Sequence, residues 1–392
     1  MRTKLDAELS ALIGDGGSKV LGLGVIAFRD GVEVYDGFFG RRRINPDKPV
    51  ERNTRFRIAS VSKIFTMIGV MQLVERGLID LDVDVSRYLD FRLRNPKFPA
   101  ISITCRMLAS HTSMLRDGDD YVVPPDCSIE DFLKDGAHFA TVDARHFEYC
   151  NLNYGVLGTV IERVTGERFD RYQRQNIFEP LEIESDYVVG NLAPDNFSML
   201  GALYRKKKDW AAQIDDYEMQ PSKDTVIVGE RVYDLKNYRI GTNAAIFSPA
   251  GGLRISFDEL SHCLKMIVDG GVYKKNQIVR AESLQKMMTP QWIYDGSNGD
   301  PYDVMLNYGL GFYGIDGDGR ARLCRDRAVD LIGHSGEAYG LISGLYIERG
   351  RKNAAAFMIN GTALELEEAD GEFSGGFIWE EHVMDPICRY IF

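Results

Sequence analysis

Ser60-Val61-Ser62-Lys63 places a hydroxyl and an amine one turn apart on one face of a helix. Serine is a weak nucleophile until a neighbour takes its proton. A lysine desolvated in a cleft can have its pKa lowered enough to do so. A helix start adds free N–H groups and positive potential, which favour an oxyanion. The spacing alone is a weak signal, because Ser283-Leu284-Gln285-Lys286 repeats it on an amphipathic, exposed helix. The plainer reading makes Ser60 a helix cap and Lys63 a solvated lysine. Against that reading, Ile64, Phe65, Met67, Ile68, Val70 and Met71 spread around the predicted helix 61–75. A helix apolar on all sides is buried, and a lysine within it calls for a reason.

Two further stretches carry candidate chemistry. Of the 19 tyrosines, only Tyr149 has an asparagine two positions on, in Tyr149-Cys150-Asn151. There the tyrosine can relay a proton, and Asn151 can donate an amide N–H to a substrate carbonyl. Alone, the pair reads as a structural tyrosine and a helix cap. In His334-Ser335-Gly336 the glycine lets a substrate backbone lie against an edge strand, with His334 on the same face. Alone, this is a histidine in a hairpin.

The elements that must position these groups follow from apolar periodicity and turn signals. Helices are predicted over 2–13, 61–75, 152–164, 169–178, 257–268, 281–288 and 379–390. Strands are predicted over 20–28, 32–39, 341–348 and 353–360. A hairpin of 308–315 with 319–324 is predicted over Asp316-Gly317-Asp318-Gly319. That turn lacks the closing glutamate of a calcium loop. Residues 190–247 show weak periodicity and read as a long excursion over the cleft.

Composition excludes several function classes. Lys and Arg total 47 against 58 Asp and Glu, a net charge of −11 that suits no general nucleic-acid binder. The basic runs at 41–43 and 205–208 read as solvated loops. No apolar run is long enough to span a membrane, and 1–6 lacks the apolar stretch of a signal peptide. As given, the chain reads as cytoplasmic; a chain with its leader trimmed, and so bound for the periplasm, would read the same. The six cysteines form no C-x-x-C pair and read as scattered free thiols of a reducing compartment. The dispersed histidines suggest no metal. The expected partner is a small-molecule or short-peptide substrate, with no nucleic acid and no membrane span. The sequence sets no oligomeric state.

Taken in order, S-x-x-K, Y-x-N and H-x-G resemble the motifs of the serine β-lactamase and penicillin-binding protein superfamily. The tyrosine version resembles its class C branch, with its D,D-peptidases, D-aminopeptidases and carboxylesterases. The likeness extends through Phe56-Arg57-Ile58-Ala59-Ser60, Ser110-His111-Thr112-Ser113, Pro249-Ala250-Gly251-Gly252-Leu253 and Tyr308-Gly309-Leu310-Gly311. It covers nearly the whole chain and is thinnest over 190–247. The sequence departs from the pattern in four places. Cys150 stands where a small residue is usual. Met114 replaces a glycine, which implies a different loop turn. His334 replaces the lysine that pairs with a β-lactam carboxylate. Glu337 stands where a small residue is common, and its carboxylate, if it faces the cleft, would repel an acidic terminus and welcome an amine.

The resemblance implies a two-lobed α+β fold of the β-lactamase/transpeptidase type: an antiparallel β-sheet flanked by helices plus a mostly helical lobe. Residues 1–80 and 248–392 would form the sheet lobe and 81–247 the helical lobe, with the catalytic cleft between. It further implies a serine hydrolase that forms an acyl-enzyme on Ser60 and needs neither cofactor nor metal. Lys63 and Tyr149 would share the base and acid roles, the first base being left open by their coupled titration. Main-chain N–H groups of Ser60 and Glu337 would hold the oxyanion, and Asn151 would orient the acyl amide. His334 would lie on the leaving-group side, with Ser335 and Gly336 against substrate. The expected substrate is a D-amino-acid peptide or amide, or a small carboxylic ester. A β-lactamase or D,D-carboxypeptidase is the alternative; a non-hydrolytic binding or sensor module on the same fold is a second. A Ser-His-Asp hydrolase lacks its G-x-S-x-G elbow here.

Overall fold

The computed structural model describes residues 2–142, 144, 146–229, 231–300 and 304–392. Helix α1 (Arg2–Ser10) leads into strands β1 (Gly22–Arg29) and β2 (Val32–Arg43). Strand β3 (Arg55–Arg57) and helix α2 (Ser62–Glu75) follow. Helix α3 (Leu152–Thr165) is the long helix of the middle segment. It ends at Gly166, whose φ of 72° is the left-handed conformation that glycine adopts without strain. Strands β4 (Leu203–Lys206), β5 (Trp210–Ile214) and β6 (Arg254–Ser256) precede helix α4 (Phe257–Val268). Strands β7 (Tyr313–Ile315), β8 (Leu331–Ala338), β9 (Leu341–Glu348) and β10 (Ala354–Ile359) lead to helix α5 (Ile378–Tyr390).

The main sheet is antiparallel throughout, in the order β7-β8-β9-β10-β1-β2, and Lys48–Pro49 extends its outer edge. Side chains alternate across a strand, so the two faces can be read from β1. Ile26 and Phe28 share a core with α2 and α4, whereas Val25 and Ala27 pack with Leu5 and Leu9 of α1 and Trp379 and Val383 of α5. The sheet is therefore the middle of three layers, which is why β9 and β10 are buried along their whole length. This is a mixed α+β architecture.

The turn between β8 and β9 is Tyr339-Gly340, with φ of 57° and 85°. Both values are left-handed, as in the tight turns that match strand twist. A Cβ on Gly340 would sit 1.9 Å from the Tyr204 carbonyl oxygen, so only glycine fits.

Several expectations are corrected. Tyr313–Ile315 pairs with β8 across a long loop, and 319–324 forms no strand, only an isolated bridge at Asp318 and Ala321. The run at 41–43 lies in β2, where Arg42 is buried and ion-paired with Glu51. Arg205 and Lys206 lie in β4, which pairs with β5 and, in parallel, with Gly361–Thr362. The cysteines are not all free: Cys324 and Cys388 form a disulfide, closing a loop of 64 residues. Among the described residues no helix is long and apolar enough to cross a membrane.

Candidate active site

Ser60 lies in a single 3-10 turn, Ala59–Val61, just before α2. No side chain caps this turn or α2, so the capping reading of Ser60 fails. The turn is reached through Ala59 at φ 43°, a left-handed value that its Cβ disfavours. Packing holds it there. A Cβ built on Gly336 of β8 would meet the Ile58 carbonyl oxygen at 2.6 Å and the Ser60 nitrogen at 3.1 Å. Only a glycine lets β8 approach the turn this closely.

Lys63 is completely buried, so it is not a solvated helix lysine. Its Nζ donates to Ser60 Oγ at 3.0 Å, to Asn151 Oδ1 at 2.7 Å and to the Ala250 carbonyl oxygen at 3.2 Å. It also lies 4.8 Å from the centre of the Tyr149 ring. Burial lowers its pKa from 10.5 to about 7, partly offset by the negative charge of Asp117. Near neutral pH a large share of Lys63 is therefore the free amine, able to accept a proton from the hydroxyl beside it.

Asn151 is fixed on both sides. Its main-chain N–H and its Nδ2 donate to Asp117 Oδ2 at 2.9 and 2.8 Å, and Leu152 N–H donates to Oδ1 at 3.0 Å. The carboxylate thus satisfies free donors at the start of α3, where negative charge is favoured. With a carboxylate on one side and the ammonium on the other, the amide has one sensible orientation. Asp117 escaped sequence reasoning: it sits in an acidic turn, Asp117-Gly118-Asp119-Asp120, that looks like any solvated loop. Cys150, which stands where a small residue is usual, points its buried thiol at Asp117 Oδ1, 3.4 Å away. Burial, reinforced by that carboxylate, pushes the thiol pKa well up.

Tyr149 is half-buried in an aromatic nest. His111 stacks on it at 4.3 Å between centroids and takes the Cys150 main-chain N–H on Nδ1 at 3.0 Å. Burial and the Lys63 charge hold His111 neutral. The Met114 turn keeps a left-handed φ of 67°, so replacing the glycine leaves a glycine-like backbone.

The β8 residues depart from expectation. His334 was expected on the leaving-group side of the cleft, but it is completely buried. Its Nδ1 donates to the Ser335 carbonyl at 2.5 Å, and its Nε2 accepts from Tyr308 Oη at 2.9 Å. The ring lies 6.2 Å from that of Tyr149, and burial, with the Lys63 charge, lowers its pKa to about 3. Ser335 is partly exposed on the opposite face of the strand. The Glu337 carboxylate is not a free negative charge: Arg205 of β4 pairs with it at 3.1 Å. The second S-x-x-K lies on Ala281–Met288, with Ser283 buried and Lys286 exposed.

A cavity of 620 Å³ opens beside this cluster. Asn151 and Ala250, both bonded to Lys63, form one side of it. Residues between 212 and 229 form much of the other, so the poorly periodic segment does reach over the site.

The Beta-lactamase family model matches residues 9–373. Penicillin-binding protein 4* of Bacillus subtilis (strain 168) is 29% identical over 181 residues, which are 44% of this chain and 39% of that protein. The chain thus spans about two-fifths of the length of that relative. Among solved structures, the octameric penicillin-binding protein homologue from Pyrococcus abyssi superposes with a TM-score of 0.67 at 21% identity, over 99% of this chain and 77% of that one. D-amino acid amidase from Ochrobactrum anthropi SV3 gives 0.67 at 21% identity, over 99% of both chains.

Proposed function

The chain belongs to the Beta-lactamase family, and on that premise we propose that it hydrolyses a carboxylic ester or amide through an acyl-enzyme on Ser60. The observation that carries this reading is the buried Lys63 amine, 3.0 Å from Ser60 Oγ, with its pKa lowered to about 7. Neutral Lys63 takes the hydroxyl proton as Oγ bonds to the acyl carbon. The oxyanion that forms is held by the main-chain N–H groups of Ser60 and Glu337; one such donor is typically worth about 3–4 kcal/mol of barrier. The proton passes by way of Tyr149 to the leaving alcohol or amine, and the C–O or C–N bond breaks. Water then attacks the acyl carbon, its proton passes through Tyr149 and Lys63 to Ser60 Oγ, and the C–Oγ bond breaks to restore the hydroxyl. Asn151 keeps one amide N–H for the acyl carbonyl, the other being held by Asp117. Neutral His334 borders the Tyr149 ring at 6.2 Å between centroids and is itself held by Tyr308.

Small esters and D-amino-acid amides both fit this scheme, the latter in keeping with the amidase the fold resembles. The test is p-nitrophenyl acetate hydrolysis with intact-mass detection. A burst and an acetyl adduct, both lost in Ser60→Ala, are expected. A folded protein giving neither overturns the proposal. Stoichiometric trapping of a β-lactam without turnover would instead indicate an acylating sensor.

A further inference from the structure

The cavity beside Lys63 has a mixed lining, with an apolar part made of Val122, Leu152, Val188, Ile214, Val226 and Ile246. Its charged groups are Arg57, Arg254, Asp215 and Asp216. Both carboxylates are already engaged. Asp215 takes two bonds from Arg254, at 2.8 and 3.1 Å, and Asp216 pairs with Arg43 at 2.5 Å. Arg57 is the cation left over. Its Nε donates to the Gly251 carbonyl oxygen at 2.8 Å and its Nη2 to Ser248 Oγ at 3.2 Å, both uncharged acceptors. Its Cζ lies 5.4 Å from the centre of the Tyr339 ring. No carboxylate of the described residues lies within ion-pair distance of it. Burial and the nearby Arg254 push its pKa down, and the more distant Asp215 charge, already paired with Arg254, offsets only part of this.

A guanidinium fixed by two hydrogen bonds and a ring is preorganised for a planar anion. Its position is also informative. Arg57 ends β3 three residues before Ser60, and its cavity reaches the Asn151 and Ala250 that hold Lys63. A chain attached to Ser60 would enter the cavity past Asn151 and Ala250 to reach Arg57. We propose that Arg57 receives a carboxylate on the acyl group, so that preferred substrates are esters or amides of acids carrying a second, terminal carboxylate on an apolar spacer. This inference rests on Ser60 being the acylated residue. It also runs opposite to an amine-selective cleft, since Glu337 is ion-paired with Arg205 and Arg57 is paired with no described carboxylate.

The experiment compares the mono-p-nitrophenyl esters of glutaric and suberic acids with their methyl-capped, neutral counterparts. Wild type is expected to show higher kcat/KM for the anionic ester at one spacer length at least, with the advantage shrinking as salt rises. A charge-assisted bond of this kind is worth roughly tenfold to a hundredfold, and the anionic-to-neutral ratio should fall by that factor in Arg57→Gln. Arg351→Gln, an exposed charge at the β9–β10 turn, should leave the ratio unchanged. Equal or lower kcat/KM for both anionic esters in wild type, or an unchanged ratio in Arg57→Gln, overturns the proposal. The wild-type comparison stands even if Arg57→Gln fails to fold. Ser60→Ala separates the two readings. Turnover that needs Ser60 but ignores the carboxylate removes the subsite and keeps the hydrolase; absence of any acyl adduct removes both.

Discussion

Replacing Lys63 with methionine separates the stability cost of the buried amine from its chemistry. The folded-state pKa of Lys63 falls from 10.5 to about 7, because a fully buried ammonium loses its hydration. At about 1.4 kcal/mol for each tenfold change in proton affinity, keeping the charge buried below pH 7 costs about 5 kcal/mol. The sign follows from proton counting. Between about pH 7 and pH 10.5 the unfolded chain holds the Lys63 proton and the folded chain does not, so stability rises with pH. Lys63→Met lacks this titration. It also loses the bonds to Ser60, Asn151 and Ala250, whose change with protonation is already contained in the shifted pKa. The stability difference between wild type and Lys63→Met should therefore be flat below about pH 6 and move in favour of wild type by about 2.3 kcal/mol between about pH 7 and pH 9. The neighbouring His111 and His334 are held neutral by burial and do not titrate in this window. Urea unfolding of both proteins across the range reads the difference directly. In wild type, kcat/KM for a neutral ester should rise through the same midpoint near pH 7. A pH-independent stability difference, or an activity midpoint near that of a free lysine, would refute the assignment of Lys63 as a desolvated base.

Other perturbations test the supports. Asp117→Asn removes a negative charge that raises the Lys63 pKa, so the midpoint of the pH–rate profile should move below that of wild type; a midpoint that stays put or rises removes Asp117 from the network. Gly336→Ala puts a methyl 2.4 Å from Ser343 Oγ and 2.6 Å from the Ile58 carbonyl oxygen, so ester turnover should fall at least about a hundredfold while far-UV circular dichroism is retained. His334→Phe leaves Tyr308 Oη without its ring-nitrogen partner, and thermal unfolding should show a loss of about 1–3 kcal/mol. Because His334 is neutral down to about pH 3, the wild-type rate profile should carry no inflection from it between pH 5 and 8.

Much of this architecture was readable because the strongest signals were local. The all-round apolarity of 61–75 placed Lys63 in a core helix, and the Asp30-Gly31 turn between apolar stretches marked β1 and β2. What escaped depended on contacts distant in sequence. The Cys324–Cys388 bond joins a loop to α5 across 64 residues, with no spacing rule to reveal it. The partner of β7 was sought in the nearest apolar stretch, 319–324, whereas β8 takes that place from farther along the chain. For His334, alternation put it on the same face as Gly336 but could not give its depth. That depth comes from Tyr308, which meets it from another strand, and from the Tyr149 and Tyr313 rings nearby.

Asp117 shows why a motif alone is an incomplete description of such a site. In the motif, Ser60, Lys63, Tyr149 and Asn151 are four letters at set positions, yet the orientation of Asn151 is decided by a fifth group 34 residues upstream. That carboxylate accepts from Asn151 twice and from Leu152 once, which turns Asn151 Oδ1 toward Lys63. Its charge also offsets part of the desolvation that lowers the Lys63 pKa. One side chain thus sets both the geometry of the amine and the pH at which the amine is neutral. Asp117→Asn keeps the shape and removes the charge, whereas Asp117→Ala removes both. If the two roles are joined as the geometry indicates, Asp117→Asn should shift the pH profile with a modest loss of kcat. Asp117→Ala should shift it equally and lower kcat further, since Asn151 is then free to rotate. Equal kcat in the two variants would show that the carboxylate acts by charge alone.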